Sequence, residues 1–278
     1  MEILKGIQVA NAINEQLIEE AKELDKAPHL GIVRVGERGD DLAYERGALK
    51  KMEKLGFSAT VFSYPADIPQ DEFMEEFHRI NRNPEIDGIL LFKPLPKHLD
   101  EKAVESAIDP VKDIDGISPV NQAKVYAGDP TGFAPCTAEA VIEMLDYAKI
   151  DPTGKRVTVV GRSLVIGKPV TMLFIKRNAT VTVCHTRTKD LEAACRQAEI
   201  VVAAAGVPKM IGAGHIGDSA IVLDVGINVD AEGNLCGDVD FDAVAEKCSL
   251  ITPVPGGVGS VTTSVLAKHL LRAAKTVR

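Results

Sequence analysis

Along the first half of the chain, short apolar runs alternate with stretches in which apolar residues recur every three or four positions. The runs His29–Val35, Ala59–Tyr64 and Ile86–Phe92 have the length and β-branched content of strands. Between and after them, Asp41–Leu55, Gln70–Ile80 and Asp100–Ala107 show the helical period, with Asp71, Glu75 and Glu76 on the polar side of the second. Ile86–Phe92 is almost continuously apolar, as a strand covered on both faces should be. Pro94-Leu95-Pro96 ends it, because proline cannot donate to a ladder. Asp109–Pro135 is rich in Gly, Pro, Asp and Asn and predicts a largely irregular segment, of a length that usually carries function. A helix is predicted over Thr137–Tyr147 with Thr137 as its N-cap, and Asp151-Pro152-Thr153-Gly154 marks a turn and a boundary.

The second half repeats the alternation. Strands are predicted at Val157–Val160, Thr180–Cys184, Ile200–Ala204, Ala220–Val225 and Ser249–Thr252, and helices at Val170–Arg177, Asp190–Gln197 and Ser260–Ala274. A small hairpin is predicted within Asn234 to Val239. Repeated strand–helix units imply parallel sheets with helices on both faces. The expected fold is therefore α/β with two domains and a cleft between them, the second being a Rossmann-like, doubly wound parallel sheet. The predicted boundaries are 1–136 plus 260–278 for the first domain and 137–259 for the second, the last helix returning to the first.

Composition narrows the class. The 278 residues are 45% hydrophobic, enough for one large or two small cores. A net charge of −8 with both signs interspersed argues against a nucleic-acid partner. No apolar run approaches the roughly 18 residues of a membrane span. The opening MEILKGIQVANAINEQ lacks the basic start and apolar run of a signal peptide, which predicts a cytoplasmic protein. Five cysteines without CxxC spacing predict free thiols, and six scattered histidines predict no metal site.

The candidate chemistry begins at residues 156–169, RVTVVGRSLVIGKP. A β-branched run stops at Gly161; Arg162, Ser163 and Gly167 follow, and Pro169 fits the first turn of the next helix. Strand, glycine turn and helix are the unit that seats a nucleotide phosphate on a helix N-terminus, although a plain glycine turn has the same outline. The next strand decides the nucleotide. Readers of NAD place Asp or Glu at its end to hold the ribose 2′-hydroxyl; here the end is Cys184-His185-Thr186-Arg187. Arg187 with Arg162 and Thr186 would suit a 2′-phosphate, which favours NADP over NAD, unless Arg187 is only a solvated charge. Ala205, after the small-residue strand end Ala203-Ala204, and Gly226-Ile227, after Asp224, lie at strand ends on the same side and would approach the nicotinamide; helix packing would equally explain the small residues.

Three further segments complete the pattern: Lys112-Asp113-Ile114-Asp115-Gly116, Ala134-Pro135-Cys136-Thr137, and Thr252-Pro253-Val254-Pro255-Gly256-Gly257-Val258-Gly259. With GRSxxxGxP and the Asp87-Gly88-Ile89-Leu90 strand they resemble, in order and over essentially the whole chain, the methylenetetrahydrofolate dehydrogenase/cyclohydrolase family, often called FolD. The resemblance implies an N-terminal folate domain, an NADP domain, a homodimer, and a place in one-carbon metabolism and purine biosynthesis. It implies that Tyr44 stacks on the folate, that Asp115 hydrogen-bonds the pterin, and that Pro255, Gly256 and Gly257 wall the pterin. Read from their neighbours alone, Tyr44 is equally a helix-surface aromatic and Asp115 a turn residue.

The chain departs from the family pattern at two linked positions. The family usually reads Y-V-x-x-K; here Tyr44 is followed one turn later by Ala48. The family's V-Q-L-P-L-P is Leu91-Phe92-Lys93-Pro94-Leu95-Pro96, so Phe92 replaces the glutamine that partners that lysine. Oxidising the methylene bridge sends a hydride to the nicotinamide and needs alignment, not a base. Hydrolysing the methenyl bridge needs proton transfers that a lysine of lowered pKa serves. The expectation is a dehydrogenase with weak or absent cyclohydrolase activity, to which a separate cyclohydrolase would be the pathway partner. Two alternatives stand beside it: a bifunctional enzyme in which Lys51 or Lys93 replaces the missing base, and a non-catalytic folate- or nucleotide-binding regulator.

Overall fold

The computed structural model describes residues 1–277. The chain opens with a short strand β1 (Glu2–Ile3) and helix α1 (Gly6–Ala21). It continues through β2 (His29–Val35), α2 (Gly39–Leu55), β3 (Ser58–Tyr64), α3 (Gln70–Arg82), β4 (Gly88–Leu91), α4 (Glu101–Ala107), α5 (Pro119–Ala127) and α6 (Cys136–Tyr147). The second half contains β5 (Arg156–Val160), α7 (Gly167–Lys176), β6 (Thr180–Cys184), α8 (Leu191–Arg196), β7 (Ile200–Ala203), β8 (Ile221–Asp224), β9 (Asn228–Val229), β10 (Leu235–Cys236), α9 (Phe241–Ala245), β11 (Leu250–Ile251) and α10 (Thr262–Val277). Two compact units result: Met1–Ala12 with Thr137–Thr262, and Ile13–Cys136 with Thr263–Arg278. The expected division differs from this in its first twelve residues, because β1 adds to β11 in the larger sheet, and in residues 260–262, which group with 137–259.

The unit built on residues 13–136 has a three-stranded parallel sheet in the order β3-β2-β4. Helix α3 shows why such segments fold as they do. Phe73, Phe77 and Ile80 recur at helical spacing and are buried, Asp71 and Glu72 occupy the first turn, and Arg79 and Arg82 the last. The chain leaves β2 for β3 on one side and returns to β4 on the other. The carboxyl ends of β2 and β4 are thus a switch point, where open α/β sheets bind ligands.

The other unit carries a six-stranded parallel sheet in the order β1-β11-β8-β7-β5-β6. Its switch point lies between β5 and β7. The added Cβ of an alanine at Gly161, just after β5, would stand 2.1 Å from the Ala204 carbonyl oxygen just after β7, and Gly161 has φ +130°. Only glycine permits both the backbone angle and that approach.

Several expectations are corrected. The span Asp109–Pro135 contains helix α5, capped by Ser118, whose hydroxyl accepts from the Asn121 amide, begun by Pro119 and ended by Gly128 at φ 71°. Thr137 is not an N-cap, because α6 already includes Cys136. The hairpin pairs Leu235–Cys236 with Asn228–Val229 rather than closing within 234–239. Helix α1, unassigned from sequence, buries Val9, Ile13 and Leu17 at i, i+4 and i+8. All five cysteines are free and buried.

Candidate active site

At the β2/β4 switch point, Tyr44 on α2 meets Phe92, just past β4, edge to face with ring centroids 5.8 Å apart. The turn of α2 bearing Tyr44 is fastened to β2 by a nearly buried ion pair, Arg34 Nε to Glu45 Oε2 at 2.9 Å. Asp115 reaches the same place through a loop paired beside β4 by the Ile89–Asp113 bridge. That loop is rigidly framed. The fully buried Asp113 carboxylate accepts from the amides of Ile117 and Ser118 and from Asn121 Nδ2, while the Asn121 carbonyl accepts from the Phe133 amide. Gly116, at φ +62°, has no room for a Cβ against the Phe133 carbonyl.

The Cys136 amide donates to Asp115 Oδ1 at 3.0 Å. Burial raises the Asp115 carboxyl above the usual range, against the lowering influence of the Cys136 hydrogen bonds. The Tyr44 hydroxyl is pushed well above its ordinary value, first by burial, then by the charges of Asp115 and Cys136. Tyr44, Phe92, Asp115 and Cys136 therefore form one cluster. Behind it, His269 Nδ1 donates to the Ile114 carbonyl at 2.8 Å and lies 3.7 Å from Cys136 Sγ. Cys136, His269, Asp113 and Asn121 had no place among the predicted site residues. Asp113, in KDIDG, and Cys136, in Ala134-Pro135-Cys136-Thr137, lay in segments with a sequence signal; His269 and Asn121 did not.

The two candidate replacement lysines fare differently. Ala48 is fully buried. Lys51, one turn further along the same face, extends its ammonium to Ser264 Oγ at 2.7 Å and Asn14 Oδ1 at 3.3 Å, both neutral and both on buried residues. Burial, then the charge of Lys54, lowers its pKa. Lys93 instead pairs with Glu105 and lies 3.7 Å from Glu101, so its ammonium is committed to carboxylates on α4.

In the other unit, the amide of Gly161 is taken by the Cys184 carbonyl. Ser163 Oγ accepts from the amides of Ile166 and Gly167, capping α7. Among the described residues, the amides of 162 to 165 thus have no acceptor within the chain. Ser163 accepts two bonds and keeps its hydroxyl proton to donate. Arg162 and Arg187, both exposed, leave the neighbouring strand ends β5 and β6 and meet no carboxylate among the described residues. The turn carrying Thr186 and Arg187 is set by His185, whose amide donates to Thr188 Oγ1 and whose Nδ1 accepts from the Arg187 amide. Open amides before a helix N-terminus and two unpaired guanidinium groups fit a dinucleotide with an extra phosphate.

Pro255, Gly256 and Gly257 form a turn in this same unit, with Gly256 at φ +98°. It is seated on the start of α1, where the Gly6 amide donates to the Gly256 carbonyl and a Cβ on Gly6 would strike the Gly257 oxygen at 2.1 Å. Ala205, Gly226 and the exposed Ile227 follow β7 and β8.

A doubly wound sheet with a phosphate-fitting loop at its switch point, together with a second α/β unit bearing a half-buried Tyr–Asp pair, defines a two-unit nucleotide-binding α/β protein. The chain belongs to the tetrahydrofolate dehydrogenase/cyclohydrolase family: residues 4–115 match the catalytic domain of that family and residues 135–278 its NAD(P)-binding domain. It is 52% identical over 277 residues to the "Bifunctional protein FolD" of Clostridioides difficile, covering 99% of this chain and 96% of that one. The bifunctional FolD methylenetetrahydrofolate dehydrogenase/cyclohydrolase of Campylobacter jejuni superposes with a TM-score of 0.96 at 34% identity, covering 99% of both chains. The Trypanosoma brucei methylenetetrahydrofolate dehydrogenase-cyclohydrolase, solved with NADP and an inhibitor, gives 0.92 at 36% identity, covering 99% of this chain and 98% of that one.

Proposed function

We propose that the chain is an NADP-dependent 5,10-methylenetetrahydrofolate dehydrogenase that also hydrolyses its methenyl product. Lys51 then supplies the ammonium that the family places at position 48. The observation that carries this reading is the half-buried Lys51 ammonium, held by two neutral oxygens and lowered in pKa. Long helical side chains lean towards the helix N-terminus, so Lys51 reaches back over the turn that bears Ala48. A lysine of lowered pKa gives up and takes back a proton nearer neutral pH, as water attack on the methenyl bridge requires.

The remaining residues bind and orient. NADP, when bound, accepts the hydride. Asp115 accepts hydrogen bonds from the pterin amino group and ring N–H, and Tyr44, kept protonated by its raised pKa, stacks on the folate. Pro255, Gly256 and Gly257 wall the pterin, and Ala205, Gly226 and Ile227 flank the nicotinamide. The open amides of 162–165, the Ser163 hydroxyl and Lys168 at the start of α7 face the pyrophosphate. Arg162, Thr186 and Arg187 hold the 2′-phosphate, which makes NADP the preferred cofactor over NAD. A homodimer is the proposed assembly.

A second reading, a dehydrogenase with weak or absent hydrolysis, draws on the burial of Ala48 and the packing of Phe92 on Tyr44. The relatives' description as bifunctional favours the first reading and leaves no ground for a separate cyclohydrolase partner. Initial rates of both half-reactions, with NADP and with NAD, test the proposal. Oxidation of methylenetetrahydrofolate is expected with NADP preferred, and hydrolysis of methenyltetrahydrofolate is expected in the same preparation. Oxidation without hydrolysis would establish the second reading, and neither reaction with either cofactor would establish a binding protein.

A further inference from the structure

Two loops at the carboxyl ends of β5 and β7 use their amides in opposite ways. The first leaves the amides of 162 to 165 open, whereas the second turns three consecutive amides inward onto one side chain. Asp238, fully buried, accepts from the amides of Ala205 at 2.5 Å and Gly206 at 3.0 Å through Oδ2. Its Oδ1 accepts from the Val207 amide and from Asn228 Nδ2, both at 2.9 Å. Both oxygens thus take two donors, a pattern an amide cannot satisfy, since it would turn its NH2 towards two of the four.

The clasp extends through a second buried acid. Asp224, at the end of β8, accepts from the amides of Gly226, Asp238 and Val239. The two carboxylates therefore bolt together the segments 205–207, 226–228 and 237–239. The fit is close: a Cβ on Gly226 would lie 2.2 Å from Asp238 Oδ1, and one on Gly237 would lie 1.8 Å from Asp224 Oδ2.

We propose that Asp238 is a positioning residue for hydride transfer: it touches neither substrate nor reacting atoms but fixes the two loops that carry Ala205, Gly226 and Ile227. The inference rests on the reading that these residues flank the nicotinamide. With its amides engaged behind it, the 205–207 loop is not an anion site; it is a rigid, close backbone surface for a ring. A misplacement of about 1 Å at such a surface can cost about 10²-fold in rate.

The test compares Asp238→Asn, Asn228→Ala and Ile227→Ser with the wild type, measuring the NADP dissociation constant by calorimetry, KM for cofactor and for folate separately, kcat, and hydrogen exchange at residues 205–207. Asp238→Asn is expected to lower kcat/KM for cofactor by about 10²-fold, weaken NADP binding and speed exchange at 205–207, with the folate KM unchanged. Asn228→Ala removes one of the four donors from a half-exposed position, so it preserves the fold if Asp238→Asn does not; it is expected to shift cofactor parameters in the same direction by about three- to tenfold. Lowered thermal stability with unchanged cofactor binding in both variants would overturn the inference and leave Asp238 merely structural. If Ile227→Ser alone moves the cofactor parameters, the positioning role fails and the placement of the nicotinamide stands. If none of the three moves them, that placement fails and the inference with it.

Discussion

The Lys51 ammonium rests on two neutral oxygens and that of Lys93 on carboxylates, and that difference in partners separates the two. Sequence spacing alone made the two equal candidates, because nothing in it reveals that Glu101 and Glu105 on α4 face Lys93. Arg187 is the counterpart in the cofactor unit. An Arg187→Ala protein is expected to lose about 10- to 100-fold in KM for NADP, the worth of one charge-assisted bond to a phosphate, with NAD little affected. Equal losses with both cofactors would place the guanidinium elsewhere than at the 2′-phosphate. Ser163 shows where reading residues one at a time stops short. Its place in the loop was legible, but its capping of Ile166 and Gly167 depends on the backbone path.

Helix α5 is the element on which the Asp115 loop leans, since Ser118 and Asn121 both bind the Asp113 carboxylate that frames it. Ser118→Ala removes the cap to the Asn121 amide and is expected to cost about 1 kcal/mol. Thermal denaturation should show a fall in Tm of about 2–4 °C, with folate KM raised more than cofactor KM. The signals for this helix were present: Ser-Pro at the start and Gly at the stop. Two of its nine residues are polar amides and just one is buried, so the apolar period that reveals α3 is missing here. The strands were more legible. Of the eight predicted strands, His29–Val35 and Thr180–Cys184 have the observed bounds and the other six differ from them by one or two residues at the ends. The two-residue strands β1, β9 and β10 have too little sequence to show a period at all.

The division into two units was legible from the repeated strand–helix alternation, but the contribution of Met1–Ala12 to the larger sheet was not, because it depends on pairing across the length of the chain. Stability of the whole should carry the mark of Asp224. Burial raises its pKa to about 7, partly opposed by the three backbone amides it accepts and reinforced by the charge of Asp238. Its unfolded value is about 3.9. The stability it contributes is therefore complete below about pH 4 and is lost as pH rises towards 7. Thermal denaturation of wild type and Asp224→Asn across pH 5 to 8 should show the wild type losing ground to the variant as pH rises. A constant difference across that range would mean that Asp224 is ionised throughout. Catalysis by the whole molecule turns on whether one chain runs both half-reactions with its base moved one helical turn. The most direct measurement is methenyltetrahydrofolate hydrolysis by wild type and Lys51→Ala, beside NADP-linked oxidation of methylenetetrahydrofolate in the same preparations. Oxidation retained while hydrolysis falls about 10²–10⁴-fold is the predicted result; hydrolysis equal in both proteins, or absent from the wild type, would contradict it.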